Sequence, residues 1–121
     1  MYKIEKDLDS FFTSDKLRKK LDDKGYTLTS PNCSEACDYV MSLLTDEERS
    51  KCQKIGNFAL YDKDKMIGIG GHFVIKYNDK LYGFTDDQYC EMWNVKPYGK
   101  TRVYEPIGEN KYQCGDLTIQ L

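Results

Sequence analysis

Between Gly70 and Asp87 the polar and apolar positions describe two short strands and a turn. The first is Gly70-Gly71-His72-Phe73-Val74-Ile75-Lys76-Tyr77, the turn is Asn78-Asp79, and the second is Lys80-Leu81-Tyr82-Gly83-Phe84-Thr85-Asp86-Asp87. Asn and Asp both tolerate positive φ and bond their own backbone, so a two-residue hairpin loop is predicted. That loop pairs Tyr77 with Lys80, Ile75 with Tyr82, Phe73 with Phe84 and His72 with Thr85. A second pattern lies upstream, where Ala36, Cys37, Val40, Met41 and Leu44 share one face of a helix and predict its burial against the sheet. Asn32 is placed to cap this helix, and Glu35 three residues later completes a capping-box pattern.

The same reading extends along the chain. Ser14-Asp15 caps a basic helix that ends at Gly25, Tyr26–Thr29 reads as a short strand, and Thr45-Asp46-Glu47-Glu48 opens a helix that stops before Gly56. Asn57–Tyr61 reads as a strand, with Asp62-Lys63-Asp64-Lys65 as a solvated hairpin connection into Met66–Gly71. Thr101–Glu105 is a further strand, and Lys111–Cys114 with Leu117–Leu121 forms a last hairpin around Gly115-Asp116. The expectation is one α+β domain over residues 1–121, a helical N-terminal lobe packed on an antiparallel sheet built mostly from residues 57–121.

Chemistry enters through the only histidine of the chain. Side chains alternate along a strand, so the two-residue hairpin puts His72 on one face with Thr85 and its diagonal neighbour Asp87. A three-residue loop puts Asp86 opposite His72 instead. The first register is preferred because it keeps the apolar pairs Phe73–Phe84 and Ile75–Tyr82, so Asp87 is the expected partner and Asp86 the alternative. An imidazole beside a carboxylate is the pair that orients a general base. Cys33 supplies a nucleophile, since free N–H groups and the positive end of the dipole in a helix's first turn stabilise a thiolate.

These pieces resemble the papain-like fold toxin and deamidase families of bacteria, relatives of papain-type peptidases and transglutaminases. The resemblance rests on Asn32-Cys33 at the start of an apolar helix, Gly70-Gly71-His72 opening a strand, and Asp86-Asp87-Gln88 at the end of the next. It covers roughly residues 30–90, with 39 residues from Cys33 to His72 and 15 from His72 to Asp87. It implies a papain-like fold and a cysteine-dependent acyl-transfer hydrolase, a glutamine deamidase or protease-like toxin or effector acting on a protein target. Cys33 is then the nucleophile, His72 the base, and Asp87 or Asp86 the orienter. Asn32, Gln88 and Gly71 would serve the oxyanion and the substrate, and no cofactor is implied. The chain departs from the pattern in having no clear upstream Gln for an oxyanion hole.

Composition narrows the partners. A net charge of −2 gives no global basic footprint for nucleic acid. The run Lys16, Arg18, Lys19, Lys20 and Lys24 is interrupted by Asp22 and Asp23 and reads as a solvated helix face. With no signal peptide and no apolar run long enough to span a bilayer, the expected setting is a cytoplasm, that of the producing cell or of a target cell after delivery, with five reduced thiols. A metal site from Cys33, Cys37, His72 and Cys90 lacks the second short-spaced pair typical of structural zinc. The competing class is a non-catalytic acidic binding protein, an immunity or anti-defence factor. Its contact surface would draw on the ten tyrosines and Trp93.

Overall fold

A short helix, α1 (Leu8–Phe12), leads into α2 (Asp15–Asp23), which Ser14 caps by accepting from the Leu17 N–H at 3.1 Å. The computed structural model describes residues 8–121, with the backbone alone at Ile69, Glu91 and Met92. Next come α3 (Cys33–Ser42) and α4 (Asp46–Ser50), the latter with a complete capping box between Thr45 and Glu48. Arg49 turns back from α4 and donates to the carbonyls of Met41 at 3.1 Å and Leu44 at 2.8 Å, which ties α4 to the end of α3.

The strands are β1 (Gln53–Ile55), β2 (Ala59–Asp62), β3 (Lys65–Ile69), β4 (Val74–Tyr77), β5 (Lys80–Gly83), β6 (Arg102–Gly108), β7 (Lys111–Cys114) and β8 (Leu117–Gln120). All pair antiparallel, in the order β1-β4-β5-β6-β7-β8-β2-β3. Residues 53–62 supply both β1 and β2, and residues 65–77 supply both β3 and β4. The order therefore returns to the segment from which it started, and the sheet curls toward closure like a barrel. Closure is broken in one place, where residues 56–58 face residues 70–73. His72 lies in that break.

Alternation along the strands builds two cores. Ile75 and Tyr82, directly opposite each other, join Leu8, Phe12, Leu17, Leu21, Ala36, Val40 and Phe84 beneath the helices. Their neighbours Val74 and Leu81 join Leu60, Tyr104, Tyr112, Leu117 and Ile119 on the concave side. The α+β class and the helical lobe on an antiparallel sheet are as the sequence predicts.

The predicted hairpin is present in its predicted register, with Tyr77 opposite Lys80 and Ile75 opposite Tyr82. Asn78 and Asp79 take φ of 53° and 58°, the conformation for which those residues suit the turn. The ladder ends sooner than expected, however, so Phe73–Phe84 and His72–Thr85 are not strand pairs. One other expectation needs correction, and one strand, β1, is additional to those expected. Residues 26–29 form no strand, because the chain there wraps the end of α2, with the Tyr26 N–H on the Leu21 carbonyl at 2.8 Å. The helix from Thr45 stops at Ser50, and residues 53–55 become β1 by pairing with β4.

Candidate active site

Cys33 is the first residue of α3, with Asn32 in the cap position. The cap differs from the predicted box, for the Asn32 side chain makes no capping bond; instead the Asn32 N–H donates to Ser30 Oγ at 3.2 Å. Cys33 is 6 % exposed, and its thiol donates to the carbonyl oxygen of Gly71 at 3.7 Å.

Gly70 and Gly71 have φ of +67° and +70°, a left-handed excursion that glycine makes without a Cβ clash. It begins where the Gly70 N–H meets the Phe58 carbonyl at 3.0 Å. It exposes Gly71 and turns the next side chain inward, so His72 is 2 % exposed. The imidazole is held edge-on between two rings, Phe58 at 5.7 Å and Tyr89 at 5.1 Å between centroids. Tyr89 opens α5 (Tyr89–Trp93).

Asp86, not Asp87, is the partner of His72. Its Oδ1 lies 2.8 Å from His72 Nε2, and the carboxylate is fully buried. The N–H is not aimed straight along that line, so the contact is a close ion pair rather than a linear hydrogen bond. Alternation fails as a guide because β5 ends at Gly83 and residues 86–88 wind into a 3-10 turn, where side chains no longer follow period two. Asp87 points elsewhere: it accepts from the backbone N–H groups of Tyr98 at 2.9 Å and Gly99 at 2.8 Å, with Arg102 at 3.8 Å. It anchors the loop before β6.

Gln88 also has a local partner, since its amide donates to the Thr85 carbonyl and hydroxyl, each at 3.1 Å. It steadies the Asp86 turn and does not face an incoming substrate as expected. Asn32 is exposed and precedes Cys33 in the chain, and Gly71 contributes its carbonyl to the Cys33 thiol. Of the expected residues, Cys33, His72, Asp86, Asn32 and Gly71 come together, while Asp87 and Gln88 support the frame.

Several contributors carried no signal in the hairpin pattern. Tyr104 on β6 donates its hydroxyl to Asp86 Oδ2. Gly83 leaves room for that carboxylate, since a Cβ there would stand 2.1 Å from Oδ2; an isolated glycine inside a strand pattern is the one hint the sequence held. Arg18 was hidden within the basic run. Its guanidinium donates to the carbonyl of Phe84 at 2.7 Å and to that of Tyr26, so α2 is clamped to the chain just ahead of the Asp86 turn.

Charge is arranged to match. Burial pushes the Cys33 thiol up, but the nearby His72 ring with its charge and the Phe73 backbone outweigh it and leave the thiol below its ordinary value. Burial opposes a charge on His72 as well, yet Asp86 and Cys33 raise its pKa to about 9. Burial would raise Asp86, and His72, Tyr104 and Arg102 together hold it below the usual carboxylate range. These directions shift the row toward thiolate, imidazolium and carboxylate. Cys37, four residues along the same helix, is pushed far up by burial.

Among the described residues, no group of three or more His, Cys, Asp or Glu side chains is placed to hold a metal ion, and no helix is long and apolar enough to cross a membrane. None of the five cysteines forms a disulfide. No protein-family model, curated protein or solved structure matches the chain.

Proposed function

We propose that this protein is a cysteine-dependent acyl-transfer hydrolase with a papain-like arrangement of helix and sheet, acting on a carboxamide or peptide carbonyl of a protein target. The observation that carries the reading is the buried 2.8 Å contact of His72 with Asp86, on an imidazole that also lowers the pKa of Cys33. A nucleophile, a base and an orienter in sequence is the arrangement that activates a weak nucleophile.

In the proposed reaction the Cys33 thiolate attacks the carbonyl carbon and forms a C–S bond. The oxyanion is met by the Cys33 N–H at the start of α3, with the Asn32 amide beside it. His72 gives its proton to the departing nitrogen as the C–N bond breaks, leaving a thioester and a neutral imidazole. That imidazole then takes a proton from water, whose oxygen attacks the thioester; the acid is released and the thiolate–imidazolium pair restored. Access runs over the exposed, side-chain-free backbone of Gly71, because the thiol is otherwise covered.

Deamidation, proteolysis and transamidation share the acyl-enzyme and differ in what departs and what attacks. The resemblance of Asn32-Cys33, Gly70-Gly71-His72 and Asp86-Asp87-Gln88 to the toxin and deamidase families favours glutamine deamidation. The test is incubation of the protein and its Cys33→Ala variant with a mixed protein substrate, read by peptide mass spectrometry. A gain of about one dalton at glutamine, with ammonia released and no new termini, is expected, because water replaces an amide nitrogen. New termini would assign a protease, and an added amine a transamidase. A Cys33→Ala protein that keeps its full biological effect would overturn the acyl-transfer reading in favour of an acidic binding protein.

A further inference from the structure

We infer that Tyr104 is the positioning residue of the site, locking the Asp86 carboxylate so that one oxygen faces His72. The inference rests on the acyl-transfer reading only for the name of the reaction; the geometry stands without it. Asp86 divides its two oxygens, with Oδ1 at 2.8 Å from His72 Nε2 and Oδ2 accepting the Tyr104 hydroxyl. Both Asp86 and Tyr104 are fully buried, so no water replaces that donor. Rotation of the carboxylate is further limited by Gly83, which leaves it a slot and little more.

Tyr104 suits this task because it is held by strand pairing rather than by the turn that carries Asp86. It stands opposite Leu81 in the β5–β6 ladder, inside the concave core. The chain at 86–88 is a 3-10 turn, a poor platform by itself for fixing a side chain. A hydroxyl arriving from a neighbouring strand gives the carboxylate a fixed reference. Burial and the charge of Asp86 keep the phenol protonated, hence a donor, well beyond its ordinary range.

The other ionisable groups around Asp86 do different work. His72 takes Oδ1. Arg102 on β6 acts on Asp86 through charge, while its guanidinium bonds the Cys114 and Lys96 carbonyls. Cys33 and Cys37 on α3 and Tyr89 on α5 feel Asp86 through its charge. Asp87 is turned to the Tyr98–Gly99 backbone.

The experiment is an NMR titration of the imidazole in wild type and Tyr104→Phe, both carrying Cys33→Ala so that no thiol titrates in concert. A single histidine makes the assignment unambiguous. In Tyr104→Phe the His72 pKa is expected to fall by about one unit, roughly a tenfold weaker hold on the proton. A folded variant with His72 unchanged or raised would overturn the proposal, because a tyrosine that only fills space alters stability and not this pKa. Should Tyr104→Phe not fold, 3-fluorotyrosine placed at position 104 keeps ring and hydroxyl. Its fluorine resonance is expected to move as His72 titrates, through the shared carboxylate, and a flat signal would overturn the proposal. Neither outcome depends on a substrate, so an absence of acyl transfer and a failure of the Tyr104 role remain separate results.

Discussion

His72 Nε2 lies 2.8 Å from Asp86 Oδ1 with neither side chain more than 3 % exposed. A buried pair of this kind is costly to break one member at a time, because the survivor keeps its desolvation cost without its partner. It also holds the base in one orientation, which catalysis requires.

The neighbouring carboxylates should therefore separate by phenotype. Asp86→Asn is expected to slow Cys33 alkylation at neutral pH and, where a substrate is in hand, to lower turnover by about 10³-fold or more, as loss of a base's orienter does. Asp87→Asn should leave the thiol near wild type and cost about 1–3 kcal/mol of stability, since two backbone N–H groups lose a charged acceptor. Alkylation kinetics and urea unfolding of both variants check this. The reverse pattern would return the role to Asp87.

Thiol selectivity follows from burial and partners. Near neutral pH, iodoacetamide should modify Cys33 first, because His72 favours its thiolate. Burial pushes Cys37 far up and raises Cys52 to about 11, leaving both largely protonated. Peptide mass spectrometry over a time course checks the order, and prior labelling of Cys37 or Cys52 would contradict it.

Stability should depend on pH in two opposite senses. Unfolded histidine titrates near about 6.5, and folded His72 at about 9. Its contribution, on the order of 3 kcal/mol, is complete below about pH 6.5 and is lost as pH rises through about 9. Asp86 is depressed in the folded state, so its contribution is present above the ordinary carboxylate pKa and lost as pH falls through the folded value. Urea midpoints from pH 5 to 10 should decline on the alkaline side in wild type. His72→Phe should show a shallower decline, the remainder coming from the thiols of Cys37 and Cys52, whose ionisation burial opposes, and an unchanged profile in the variant would locate the pH dependence elsewhere.

Two strand glycines make a controlled pair. Gly83→Ala sets a Cβ 2.1 Å from the Asp86 carboxylate, and should cost about 2 kcal/mol or more and slow Cys33 alkylation. Gly108→Ala on β6 meets nothing within 4 Å and should lie within about 0.5 kcal/mol of wild type. Thermal unfolding and alkylation of both variants check the contrast; equal behaviour would show that Asp86 moves aside freely.

Much of this molecule is written in short-range pattern. The Ser14 cap, the Thr45 capping box, the Asn78-Asp79 turn with its register, and the apolar face of α3 depend on residues within a few positions of one another, so periodicity and turn chemistry determine them. The same locality placed Cys33 at a helix start and His72 after a glycine pair. Tertiary structure decided the rest. Strand alternation selects Asp87 for as long as the strand continues; the ladder stops at Gly83, and the turn beyond it gives the position to Asp86. Tyr104 lies 18 residues from Asp86 and reaches it only because β6 pairs with β5. Phe58 reaches His72 only because one chain segment begins the curled sheet and helps to close it. Those contacts depend on which strands become neighbours, a choice made by the packing of both cores together rather than by any window of the sequence.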